Sequence, residues 1–104
     1  MNSYSDPKYS GLQVYYSQNN EESKILAAEI QASVKEQTQP ENNRVIKAGT
    51  DIYVLENTQN TSVLIECGFL TNYSECVKLS EKEYQKQLSL SIVCGIINYR
   101  EKIN

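Results

Sequence analysis

Glu66 stands at the end of an apolar run, Val63-Leu64-Ile65, and is followed by Cys67-Gly68. Ionised carboxylates are costly to bury alone. This one must therefore pair with a cation, bind a metal, or open onto a cleft where it can move protons. Pairing would draw on Arg44 or Lys47, the basic residues of the preceding NRVIKAGTD stretch. Proton transfer needs a carboxylate within hydrogen-bond reach of a reacting group. Cys67 suggests thiol chemistry instead, but the chain contains no histidine, so the usual Cys–His nucleophile cannot be assembled from it. Cys67, Cys76 and Cys94 form an odd set without CxxC spacing, which reads as small buried thiols rather than a disulfide framework. No cluster of carboxylates and thiolates has the spacing of a zinc site, so metal ligands within the chain are expected to be none.

The elements that hold Glu66 follow from the flanking patterns. Gly11–Tyr16 (GLQVYY) reads as a strand. Asn19-Asn20-Glu21-Glu22, with an Asn as cap and acidic residues in the first turn, opens a helix over about Glu21–Gln37, with Leu26, Ile30 and Val34 on one stripe widened by Ala27. Pro40 lies in a polar connection. Gly49 and Asp51 mark a turn, Ile52–Leu55 (IYVL) a second strand, and Thr61–Ile65 a third. Asn72-Tyr73-Ser74-Glu75 has the capping-box pattern of a short helix ending near Leu79. Ser80-Glu81-Lys82-Glu83 repeats it for a last helix to Lys102. Its packing face is expected to carry Tyr84, Leu88, Ile92, Ile96 and Tyr99, broadened by Leu90, Val93 and Ile97.

This alternation predicts an α/β layered fold, in which ligands gather beyond the carboxyl ends of the strands. Such a geometry would aim Glu66 into a cleft. At 104 residues the chain is one small domain or part of a larger one. Its net charge of −3 and isoelectric point near 4.9 argue against a nucleic-acid partner. No apolar run approaches the ~20 residues that span a bilayer, and the polar start MNSYSDPKYSG carries no export signal.

The stretch SVLIECGFLTN, with SGLQVYYSQNNEESKILAAEIQ and NRVIKAGTDIYVLEN upstream and LSEKEYQKQLSLSIVCGIINY downstream, resembles the C-terminal half of zinc-dependent N-acetylmuramoyl-L-alanine amidases. The likeness is greatest to the subgroup acting on spore cortex. It implies a three-layer α/β sandwich with a mostly parallel sheet, present here as a C-terminal portion with about three strands and three helices. Residues 1–104 are then one part of a single catalytic domain. The implied activity is hydrolysis of the amide between the muramic acid lactyl group and L-alanine in peptidoglycan, in the cell wall or another extracytoplasmic location.

Members bind zinc through two histidines and a glutamate and use a second glutamate in catalysis. The catalytic one lies in an E-x-G-F-x-[ST]-N pattern, matched here by Glu66, Gly68, Phe69, Thr71 and Asn72. The last zinc histidine belongs to a Ser-Ile-His-x-Asn motif, and Met1-Asn2 aligns with its final two places. All zinc ligands are thus expected outside this chain, which alone is expected to be inactive. The resemblance also suggests Arg44, Lys47 and Asn57 as lining of the glycan or peptide groove. Two rival readings are a non-catalytic cell-wall- or partner-binding module on the same scaffold, and a subdomain completed by a second polypeptide. An incomplete sheet also predicts self-association through an exposed edge.

Overall fold

The computed structural model describes residues 10–68 and 73–104, with side chains omitted at 73–76. The elements are β1 (Gln13–Tyr16), α1 (Glu21–Gln37), β2 (Lys47–Ala48), α2 (Tyr53–Glu56), β3 (Val63–Glu66), α3 (Tyr73–Ser80) and α4 (Lys82–Ile103).

Helix α1 begins where its cap predicts. Asn20 is extended, and its side-chain oxygen accepts from the Glu22 amide at 2.9 Å, with Glu21 and Glu22 in the first turn. At the other end the Thr38 amide donates to Val34 at 3.0 Å. The stripe of Ala27, Ile30 and Val34 is buried against Leu12 and Val14 of the β1 segment, and Leu88 of α4 closes the same core.

The three strands run in the order β2–β1–β3. β1 pairs in parallel with β2, matching Tyr15 to Lys47 and Tyr16 to Ala48. It pairs antiparallel with β3, matching Gln13 to Glu66 and Tyr16 to Val63. The α/β layering is as expected, but pairing among these strands is mixed rather than mostly parallel.

Because β2 is only two residues long, it leaves the start of β1 without a strand on that side. Side chains take its place. Gln31 accepts from the Val14 amide (3.0 Å) and donates to the Leu12 carbonyl (2.9 Å). Gln39 accepts from the Leu12 amide (3.0 Å), and Asn42 donates to the Leu12 carbonyl (3.0 Å). Buried main-chain groups must find partners, and here polar side chains of α1 and the following loop supply them.

The strand expected over Ile52–Leu55 is instead the short helix α2. The Gly49 amide donates to the Tyr16 carbonyl (2.9 Å), which ends the parallel ladder, and the chain then turns through Ile52. Only Leu55 of the segment is buried, while Tyr53 and Val54 face outward. A helical turn satisfies this single anchor, whereas a strand would need a neighbour. The strand that does pair, Lys47–Ala48, falls within the stretch that reads as a turn from its glycine.

α4 packs antiparallel on α1 through Leu88, Ser91, Gly95 and Tyr99. Ser33 donates its hydroxyl to the Ser91 carbonyl at 2.6 Å across this seam, and Thr38 and Ser91 hydroxyls also bond. The expected packing face therefore needs correction. Leu88 and Tyr99 pack as expected, but Ile96, Leu90, Val93 and Ile97 are exposed, and Ser91 and Gly95 fill the middle of the seam. Close approach of two backbones selects Ser and Gly there rather than bulky aliphatics.

Candidate functional site

Strand alternation decides which way Glu66 points. Val63, Ile65 and Cys67 pack toward the core beneath the helices. Leu64 and Glu66 therefore face the opposite side of the sheet. Cross-strand partners share a face, so Gln13 lies beside Glu66, and Tyr15 beside Leu64. Lys47 flanks Tyr15 from the other direction. One sheet face thus collects Lys47, Tyr15, Leu64, Gln13 and Glu66.

Arg44 joins this group through the loop before β2. Its Nη1 donates to Gln13 Oε1 (3.2 Å) and its Nε to the Ser10 carbonyl (2.7 Å). Gln13 is fully buried, and its amide also donates to the Val45 carbonyl at 2.7 Å. Gln13 is thus a fixed link between Arg44 and the strand position next to Glu66. Its sequence signal is a polar residue alternating with Leu12 and Val14 at the start of an otherwise apolar strand.

Glu66 itself is half-buried, and its Oε2 is shielded from solvent without a hydrogen-bond partner among the described residues. No ion pair joins it to Arg44 or Lys47. Buried polar atoms are rarely left unpaired, and the exceptions call for a cause such as catalytic use or a missing partner group.

One expectation about position is corrected. β3 runs antiparallel to β1, so the carboxyl end of β3 lies at the amino end of β1, away from the shared carboxyl ends of β1 and β2. Asn57 also stands apart from the Glu66 group. It follows α2 near the Tyr16 end of the sheet, where its Nδ2 donates to the Tyr53 carbonyl at 2.8 Å and closes that turn. Arg44 and Lys47 share the sheet face with Glu66, while Asn57 serves α2. The pattern residues Phe69, Thr71 and Asn72 lie outside the described residues, as do Met1 and Asn2.

Cys67 lies on the core side of the strand, and burial pushes its thiol above the usual 9.0. A buried thiol that resists ionisation is a poor nucleophile. Its folded-state pKa is raised above the unfolded value. The contribution to stability is therefore full below about pH 9 and is lost as pH rises through the folded value. We expect alkaline destabilisation beginning above pH 9.0 in urea melts, and a shallower pH slope in Cys67→Ala. An identical slope in both proteins would contradict this.

Among the described residues no group of three His, Cys, Asp or Glu side chains is placed to hold a metal ion, and the chain has no histidine. Among the described residues, the Glu66 carboxylate has one buried oxygen without a hydrogen-bond partner.

The family model described as N-acetylmuramoyl-L-alanine amidase matches residues 1–98. The germination-specific N-acetylmuramoyl-L-alanine amidase of Bacillus subtilis is 32% identical over 99 residues, covering 95% of this chain and 41% of that protein. The CwlD amidase from Clostridioides difficile, solved in complex with the GerS lipoprotein, superposes with a TM-score of 0.92 at 39% identity. That match covers 97% of this chain and 51% of the other. An N-acetylmuramoyl-L-alanine amidase from Clostridium difficile 630 gives a TM-score of 0.86 at 30% identity, covering 97% and 54%. The chain spans about half the length of the relatives it matches. With nearly its whole length matched by the family model, the chain belongs to the N-acetylmuramoyl-L-alanine amidase family.

Proposed function

We propose that this chain supplies the proton-handling part of a peptidoglycan amidase that cleaves the bond between the muramoyl lactyl group and L-alanine. The observation that carries the proposal is the buried, unpartnered Oε2 of Glu66 on the sheet face shared with Arg44 and Lys47. Glu66 accepts a proton from the attacking water as its oxygen adds to the amide carbon. It returns that proton to the alanine nitrogen as the C–N bond breaks, leaving a lactyl carboxylate and a free amino terminus. Arg44 and Lys47 provide positive charge toward the acidic groups of the stem peptide. The zinc that the family resemblance implies would need histidine ligands, and this sequence contains no histidine.

Similarity to a germination-specific amidase supports spore cortex as the substrate and an extracytoplasmic place of action. A relative solved with a lipoprotein supports a protein partner. The test is a chimera in which the half of the Clostridioides relative not covered by the match precedes this chain. Its expected result is bound zinc and release of muropeptides with free L-alanine amino termini. A folded, zinc-loaded chimera that binds glycan strands without cutting them would favour the non-catalytic module instead.

A further inference from the structure

Gln13 is 0% exposed, yet it sits on the opposite side of β1 from the core residues Leu12 and Val14. The orientation of its amide is set by its partners. Nε2 donates to the carbonyls of Val45 (2.7 Å) and Val14 (3.2 Å), which can only accept, so Oε1 faces the other way. There it accepts from Arg44 Nη1 at 3.2 Å. Further bonds fix the arginine. Its Nε donates to the Ser10 carbonyl (2.7 Å), and its main-chain amide donates to Asn42 Oδ1 (2.9 Å). Asn42 Nδ2 in turn donates to the Leu12 carbonyl (3.0 Å) and Gln39 Oε1 (2.8 Å). Every one of these bonds lies within the chain, so the arrangement does not depend on what covers this face of the sheet.

The order across the sheet is Val45, Gln13, Glu66, and the Cβ atoms of a cross-strand pair are about 5 Å apart. Arg44 thus carries a cation within side-chain reach of a carboxylate whose Oε2 has no partner among the described residues, yet the two do not pair. A guanidinium and a carboxylate in reach of each other ordinarily form strong charge-assisted bonds. What prevents it is the amide between them, which engages Nη1 while the Ser10 carbonyl engages Nε.

We propose that Gln13 is a positioning residue that latches Arg44 away from Glu66 and so keeps the carboxylate open to the reacting water. Its effect on catalysis rests on the reading of Glu66 as the proton carrier; the latch itself does not. Without Gln13, Arg44 swings onto Oε2, and a carboxylate paired with a cation takes up a proton less readily.

The test uses the amidase chimera. Gln13→Ala is expected to lower kcat about 30-fold, short of the loss at Glu66 itself. Gln13→Ala/Arg44→Gln is expected to recover to within about fivefold of wild-type kcat, because the blocking cation is gone. Its KM should stay raised, since Arg44 no longer faces the acidic stem. A second measurement needs no turnover. In urea melts of the chimera, Arg44→Gln and Glu66→Gln should shift the midpoint additively when Gln13 is present and non-additively in the Gln13→Ala background. Gln13→Ser, which leaves a hydroxyl for the Val45 carbonyl, carries both measurements if the alanine variant does not fold. Additive shifts without Gln13 overturn the proposal, as does a double variant that stays as slow as Gln13→Ala. A chimera that never cuts muropeptides, while its midpoints couple as expected, overturns the reading of Glu66 and supports the latch.

Discussion

Glu66→Gln in the amidase chimera is expected to lower kcat about 10²- to 10⁴-fold, the usual contribution of a positioned general acid–base. The amide of Gln keeps the shape of the side chain but cannot take up a proton at neutral pH. Zinc content should be unchanged, because the proposed role of Glu66 is proton transfer rather than ligation. KM should also change little if the residue acts mainly in the transition state. A variant retaining more than a tenth of wild-type turnover, with zinc bound, would remove Glu66 from the catalytic role. Loss of zinc together with turnover would recast it as part of the metal site. Leu64→Ala is a useful comparison, because Leu64 shares the sheet face but carries no ionisable group. It should leave kcat within a few-fold of wild type.

The second large effect is expected at Gly95. In an exposed helix, Gly→Ala ordinarily stabilises by up to ~1 kcal/mol. At this position the added Cβ would lie 2.6 Å from the Ile30 Cα and 3.0 Å from both the Ile30 nitrogen and the Glu29 carbonyl. All three are backbone atoms of α1, so no side-chain rotation relieves the clash. Contact therefore outweighs propensity, and Gly95→Ala should cost about 2–3 kcal/mol. Gly95→Leu should prevent α4 from seating on α1 at all. Urea unfolding monitored by circular dichroism measures both. Ser89→Ala, at an exposed position of the same helix, should shift stability by less than about 0.5 kcal/mol. Stabilisation by Gly95→Ala would show that the two helices can separate freely at this point.

Much of the scaffold was legible from residue patterns. α1 is bounded by Asn20 and its acidic first turn at one end and by the polar run before Pro40 at the other, and it occupies Glu21–Gln37 as read. β1 and β3 announce themselves by short apolar runs, and α4 by its long helical periodicity. What escaped was set by pairing and close packing. Lys47–Ala48 becomes a strand only because Tyr15 and Tyr16 lie beside it. The apolar Ile52–Leu55 run forms a helical turn because one residue, Leu55, is its anchor. Hydropathy ranks Leu90, Val93 and Ile97 above Ser91 and Gly95, yet the seam with α1 needs the smaller residues.

The sequence marks the positions of the candidate site but not their arrangement. Glu66 stood out as a charge ending an apolar strand, and Arg44 and Lys47 do share its sheet face. Composition could not supply the antiparallel sense of β3, which sets the end of the sheet where Glu66 lies. Asn57 closes its own helical turn, a bond that an exposed loop amide does not announce in sequence. Gln13 passed unnoticed because its importance rests on neighbours more than 30 residues away, Val45 and Arg44.

The reversal of β3 has one more effect. Since Gln13 and Glu66 are opposite one another, any polypeptide leading into β1 arrives next to the catalytic candidate rather than at the far rim of the sheet. Ten residues of extended chain reach at most roughly 35 Å. In the enzyme proposed above, a metal-bearing segment joined at that end would be tethered beside Glu66 at an effective concentration on the order of millimolar. Assembly of the proposed reaction centre would then be a local search along one molecule, without diffusion of a separate component.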